Sequence, residues 1–211
     1  MPAQPTPPDS RPVAFTVFST EPLSQLCYIA KPGTAPVRLQ FYPTARSRQY
    51  LYKGTDKMPL FAADTGALMA VVTLPPGIRQ ALLILMPENA AGTGSGRLRV
   101  LILDDSKPRQ TPGTLRILNL SGLELSGTLN RRPITLPDGI DELVRVGDTA
   151  EINLRTPFHG RSYQAYVETL PAGLSGRTLL LLLPPYRSGS LEVQSRYLPE
   201  TPVPAARPEG R

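Results

Sequence analysis

The sequence predicts an all-β protein built as two tandem antiparallel β-sandwich units related by internal duplication, and three observations carry that expectation. The phrase Thr73-Leu74-Pro75-Pro76-Gly77, followed by the apolar run 81–86, returns 96 residues later as Thr169-Leu170-Pro171-Ala172-Gly173, followed by the run 179–183. Pro (25) and Gly (17) make up about a fifth of the 211 residues. Proline removes a backbone donor and clashes with the preceding turn, so such punctuation leaves no room for many long helices. Between the breakers, apolar residues alternate with polar ones at period two, the mark of half-buried strands.

The duplication extends beyond the repeated phrase. Phe15-Thr16-Val17-Phe18-Ser19 lies over Leu115-Arg116-Ile117-Leu118-Asn119, and Leu98-Arg99-Val100 lies over Leu191-Glu192-Val193. The offset drifts from 100 through 96 to 93, as short loop insertions around a common frame produce. The expected organisation is a flexible Pro-rich N-terminus (1–11), a first unit (12–110), a second unit (111–200) and a flexible tail (201–211). The Pro- and Lys/Arg-bearing segment 106–113 marks the boundary.

In the first unit, strands are expected at 13–18 and 26–29, with Pro32-Gly33 turning into 37–41, where Val37, Leu39 and Phe41 alternate with Arg38 and Gln40. Further strands follow at 48–53, 58–62 and 68–74. The run 81–86 is apolar on both faces and is expected to be a central strand covered on each side. A loop at 88–96 and a strand at 98–103 complete the unit. In the second unit, strands are expected at 115–120 and 125–129, with a tight turn at Asp138-Gly139. Gly147-Asp148 is read as the turn of a hairpin joining 143–146 to 150–154. Tyr163, Ala165 and Val167 then alternate with Ser162, Gln164 and Tyr166, and strands at 179–183 and 191–197 close the unit. Seven or eight short strands per unit point to sandwiches of the immunoglobulin-like kind, without the Trp and Cys pair of antibody domains. The competing architecture is one continuous sandwich or barrel made from both halves.

Composition excludes several classes of chemistry. Cys27 is the only cysteine, so neither an intrachain disulfide nor a cysteine-based zinc site can form. His159 is the only histidine, in a stretch, Thr156-Pro157-Phe158-His159-Gly160, that reads as a loop by its breakers. No Gly-rich phosphate loop, HExxH or GxSxG pattern occurs. No apolar run reaches the roughly 18 to 20 residues that cross a bilayer. The sequence therefore calls for no catalytic residue, no metal and no cofactor. Its acidic clusters, Asp104-Asp105 and Asp138 with Asp141 and Glu142, read as strand ends and turns.

The net charge of +6 is concentrated early in the chain. There the segment 38–57 interleaves aromatic and basic residues, and Tyr42, Arg46, Arg48, Tyr50, Tyr52 and Lys53 form the candidate ligand-binding set. Such side chains together stack on bases or sugars and neutralise anions. The alternative is an edge strand whose charges discourage sheet-to-sheet association.

The phrase Thr-Leu-Pro-x-Gly before an aliphatic strand, the run Arg116-Ile117-Leu118-Asn119-Leu120-Ser121 and the run Tyr50-Leu51-Tyr52-Lys53-Gly54 resemble secreted bacterial proteins of uncharacterised role with two immunoglobulin-like β-units. The resemblance covers most of residues 12–200 and implies export and a role at or beyond the envelope, with no activity attached. The Pro-rich start reads as a linker after a removed export signal. The expectation is a non-enzymatic binding or structural β-module of the periplasm or cell exterior, with a protein or polysaccharide partner in the envelope. A carbohydrate-active hydrolase using loop carboxylates is the rival. A basic surface for anionic polysaccharide or nucleic acid is a third reading, nucleic acid being the less favoured ligand, and a cytoplasmic protein with a loose N-terminus is the alternative location.

Overall fold

The computed structural model describes residues 12–21, 23, 25–42, 44–87, 97–106, 111, 113–171 and 177–199. The expected flexible ends, the loop at 88–96 and most of the boundary segment lie outside these residues. The chain divides into two compact units at residues 109/110. Every element among the described residues is a strand.

The first unit contains β1 (Val13–Ser19), β2 (Leu26–Ile29), β3 (Pro36–Arg38), β4 (Tyr50–Tyr52), β5 (Lys57–Ala62), β6 (Leu68–Thr73), β7 (Gln80–Pro87) and β8 (Leu98–Asp104). These form two four-stranded sheets, β4-β1-β7-β8 and β3-β2-β5-β6. The second unit contains β9 (Thr114–Asn119), β10 (Leu125–Leu129), β11 (Arg132–Leu136), β12 (Asp141–Arg145), β13 (Thr149–Phe158), β14 (Arg161–Pro171), β15 (Arg177–Leu183) and β16 (Gln194–Pro199). Its sheets are β12-β9-β15-β16 and β11-β10-β13-β14. Adding eight to every strand number of the first unit reproduces the order of the second. The internal repeat is thus a repeat of topology, and the single continuous sandwich is not what the chain forms.

Each unit closes its own core between its two sheets. In the first, Phe15, Val17, Leu83 and Leu85 meet Leu26, Tyr28, Met58 and Leu60. In the second, Leu115, Ile117, Leu180 and Leu182 meet Leu125, Leu129, Ile152 and Leu154. Period two in each strand supplies these inward side chains. The central strands β7 and β15 depart from alternation, since Ala81 through Leu85 and Leu179 through Leu183 are buried without interruption. Among the described residues, both take part in the one parallel pairing of their unit, β1 with β7 and β9 with β15, and the other pairings are antiparallel. Strands in parallel pairs are characteristically covered on both faces and read as continuous apolar runs.

The repeated phrase occupies equivalent places. Thr73 ends β6 with Leu74 buried behind it, and Thr169 and buried Leu170 stand near the end of β14. Two expectations are corrected. Gly147-Asp148 does not turn a hairpin: β12 pairs with β9, and β13 pairs with β10 and β14 in the other sheet, so the glycine carries the chain across the sandwich. The strict alternation expected from Ser162 to Val167 is broken by a bulge opposite Leu154/Arg155, which buries both Ala165 and Tyr166. An extra residue of this kind shifts every later side chain to the opposite face. β11 was not expected at all. It pairs along β10 after the turn Asn130-Arg131, both residues having positive φ (48° and 63°).

Candidate functional site

The six residues singled out in the sequence are divided by the fold between interior and surface. β4 is an edge strand that packs one face on the core, so Tyr50 and Tyr52 turn inward together and Leu51 turns outward. Tyr50 lies 5.5 Å from Phe15 and 5.8 Å from Tyr28 by ring centroids, and its hydroxyl accepts the Gln40 N–H at 2.8 Å. Tyr52 donates to the Lys57 carbonyl at 2.8 Å. Arg46 is buried and pairs with Asp105 at 2.7 Å. Only Tyr42, Arg48 and Lys53 remain exposed, and the Arg48 guanidinium rests 5.2 Å over the Tyr50 ring. Of the three tyrosines, Tyr50 and Tyr52 are therefore core and Tyr42 alone stays at the surface, so the expected platform of interleaved rings and cations does not form there.

Four carboxylates of the acidic clusters are likewise engaged in holding the fold. Asp105 holds the buried Arg46, and Asp104 accepts the Ser106 N–H. Asp138 accepts the Gly122 N–H at 2.8 Å, joining two turns. Asp141 takes a bidentate grip from Arg116 on the neighbouring strand, with Nε to Oδ1 at 2.6 Å. Among the described residues, no three His, Cys, Asp or Glu side chains cluster closely enough to hold a metal ion. The cleft beside β11 and β12, about 580 Å³, is lined by Leu129, Ile134, Val144 and Val146 with Arg132, Arg145 and Glu142 at its polar positions.

A different place concentrates exposed aromatic and basic groups: the end of the β13–β14 hairpin. β10 pairs with β13 only as far as Arg155, whereas β13 and β14 stay paired out to Phe158 and Arg161. The hairpin thus overreaches its own sheet. Directly opposed residues share a face, so Phe158, Arg161, Thr156 and Tyr163 continue the face that carries Leu154 and Tyr166 into the core. Beyond the core that face is open, with Phe158 46% and Tyr163 39% exposed. Their ring centroids are 6.4 Å apart, and the His159 ring stands edge-on to Phe158 at 4.1 Å. The turn itself is His159-Gly160, with φ of 48° and 73°. Two positive φ values in a two-residue loop match the right-handed twist of the flanking strands, and histidine tolerates this region better than most residues.

On the opposite face, Arg155 is fixed by Ser162, donating from Nε to Oγ at 3.0 Å and from NH2 to the carbonyl at 2.7 Å. Behind the tip, Tyr166 donates to Glu168 at 2.7 Å. Burial foremost, then that carboxylate, pushes the phenol pKa well above its usual value. The 184–193 connection joins the same end, with the Val193 N–H on the Ala165 carbonyl at 3.0 Å, and carries Tyr186, 87% exposed.

The sequence concealed this site behind Pro157. A proline within a run argues against a central strand, but here it stands opposite Ser162, past the point where β10 stops pairing, at a position that a strand can give to proline. The available signal was the continuing alternation Ile152, Leu154, Thr156, Phe158. No protein-family model matches the chain, and no curated protein matches it either.

Proposed function

We propose that this protein is a non-enzymatic binding module of the bacterial envelope or periplasm, and that it holds a polysaccharide at the aromatic end of its second sandwich. The observation that carries the reading is the pair Phe158 and Tyr163, fixed on one face of a hairpin that outruns its sheet. Rings held by strand pairing lose little freedom when a flat ligand stacks on them, which favours affinity. The loop end of a sandwich is also where a rigid scaffold displays recognition groups. Location rests on the resemblance to exported two-unit proteins.

Co-sedimentation of the full chain with purified bacterial sacculi, chitin and cellulose tests this. The wild type is expected to pellet with at least one of them, and Phe158→Ala/Tyr163→Ala to stay in the supernatant with its melting temperature unchanged. Pelleting that ignores the double substitution, or no pelleting with any polymer, overturns the proposal.

A further inference from the structure

We infer that the ligand of the hairpin end is an anionic polysaccharide, an inference that rests on the binding reading above and names its ligand class. The first ground is charge. Arg161 is the cross-strand partner of Phe158 and shares its face. No Asp or Glu occurs from Ile152 to Val167, so both arms of the hairpin end are free of carboxylates. Glu151 is seven residues back along β13 from Phe158, about 23 Å away at the rise of a strand. Glu168, on the other arm, receives the Tyr166 hydroxyl. The neighbouring segments do carry carboxylates: Glu124 stands two residues before Ser126, the cross-strand partner of Arg155, and Glu192 precedes Val193, whereas Asp138 accepts the Gly122 N–H. The cationic ground is therefore the hairpin face itself, where Arg161 stands beside Phe158.

The 184–193 connection carries a second exposed aromatic–cation pair, Tyr186 and Arg187, with Glu192 beside the Val193 N–H that ties it to β14. Guanidinium groups match carboxylate and sulfate oxygens in pairs of parallel hydrogen bonds, whereas aromatic faces stack on sugar rings regardless of charge. Together they select an acidic sugar polymer over a neutral one. Rings that are half covered and a tip shared with histidine and arginine fit stacking better than insertion into lipid, which needs a larger apolar face. A single-stranded nucleic acid needs a longer basic track than this face supplies.

The probes are beads bearing heparin, polygalacturonate or neutral dextran, phosphatidylglycerol vesicles and an oligothymidylate. The full chain is expected to bind heparin or polygalacturonate and not dextran, with affinity falling as salt rises. Arg161→Gln/Arg187→Gln is expected to weaken that binding at least tenfold and to flatten the salt dependence by about one to two charges, with the melting temperature as the check on folding. Equal retention on dextran, or unchanged salt dependence in the arginine variant, overturns the anionic ligand while leaving the stacking site standing if Phe158→Ala/Tyr163→Ala still abolishes retention. Tighter binding to vesicles or to oligothymidylate than to either acidic polymer overturns it as well. Indifference of every probe to Phe158→Ala/Tyr163→Ala instead removes the binding reading beneath it.

Discussion

Two stretches of this chain mix aromatic with basic side chains, and the fold puts them to opposite uses. Around β4 the tyrosines alternate inward over a sheet that ends level with its core, so Tyr50 and Tyr52 are packing and Tyr50 carries the Arg48 guanidinium as a lid. At the end of the β13–β14 hairpin the same alternation continues past the last core layer, so Phe158 and Tyr163 stay at the surface. Composition and period are alike in both. What differs is whether another sheet lies opposite the aromatic face, and a local pattern carries no information about that.

The first unit shows how the two hairpins came apart. β5 pairs with β2 as far as Ala62, and its hairpin closes at once through Ala63, Asp64, Thr65 and Gly66, with the Gly66 N–H on the Ala62 carbonyl. No overhang is left. The equivalent β13–β14 hairpin runs 10 and 11 residues against 6 and 6. Lengthening one hairpin of a repeated frame creates a new surface without disturbing the core that both units share in plan.

The largest expected effect separates packing from display. Tyr50→Ala removes a ring at the centre of the Phe15–Tyr28–Tyr50 cluster and should destabilise the first unit by about 3 to 5 kcal/mol, as large-to-small changes of buried aromatics do. Phe158→Ala should change stability by less than about 0.5 kcal/mol. Chemical denaturation of the two variants checks this. A Phe158→Ala loss as large as that of Tyr50→Ala would show the hairpin end to be structural and sink the comparison.

A smaller effect concerns Tyr166, where the hairpin passes from core to overhang. Its phenol pKa is raised in the folded protein, so the native state keeps the proton that the unfolded chain releases near pH 10. The associated stability is complete below pH 10 and is lost as pH climbs above it. Tyr28, raised mainly by burial, adds the same trend in the first unit. Tyr166→Phe removes the bond to Glu168 and should cost about 0.5 to 1.5 kcal/mol at pH 7, while flattening the alkaline fall of the second unit's stability. Melting curves between pH 8 and 11.5 measure both; an alkaline limb of unchanged steepness in the variant would contradict the assignment.

Much of this architecture was legible because the signals were physical and local. The repeated Thr-Leu-Pro phrase located equivalent strand ends, and the unbroken runs at 81–86 and 179–183 marked the doubly covered strands. The failures share one cause. Gly147-Asp148 looked like a hairpin turn because a turn residue does not declare whether the chain returns to its neighbour or crosses to the other sheet. Arg46 looked like a surface cation because its partner, Asp105, stands 59 residues away. Pro157 looked like a loop because the end of β10, which makes the proline harmless, is written elsewhere in the sequence.

The smallest effect lies in the turns. Both Asn130-Arg131 and His159-Gly160 close two-residue hairpins with two positive φ values, but only the second has glycine in its second position. Asn130 earns its place by bonding across to β13, accepting the Glu151 N–H at 2.7 Å and donating to the Thr149 carbonyl at 3.1 Å. Arg131, at φ 63°, bears the left-handed strain of an ordinary side chain, about 1 kcal/mol. Arg131→Gly relieves it but frees the unfolded chain, so the net gain should be about 0.5 kcal/mol. The mirror change, Gly160→Arg, introduces the same strain at the tip and should lose a similar amount. If the two substitutions shift the denaturation midpoint in the same direction, the turns are not equivalent, and the hairpin end owes its geometry to something other than its strand pairing.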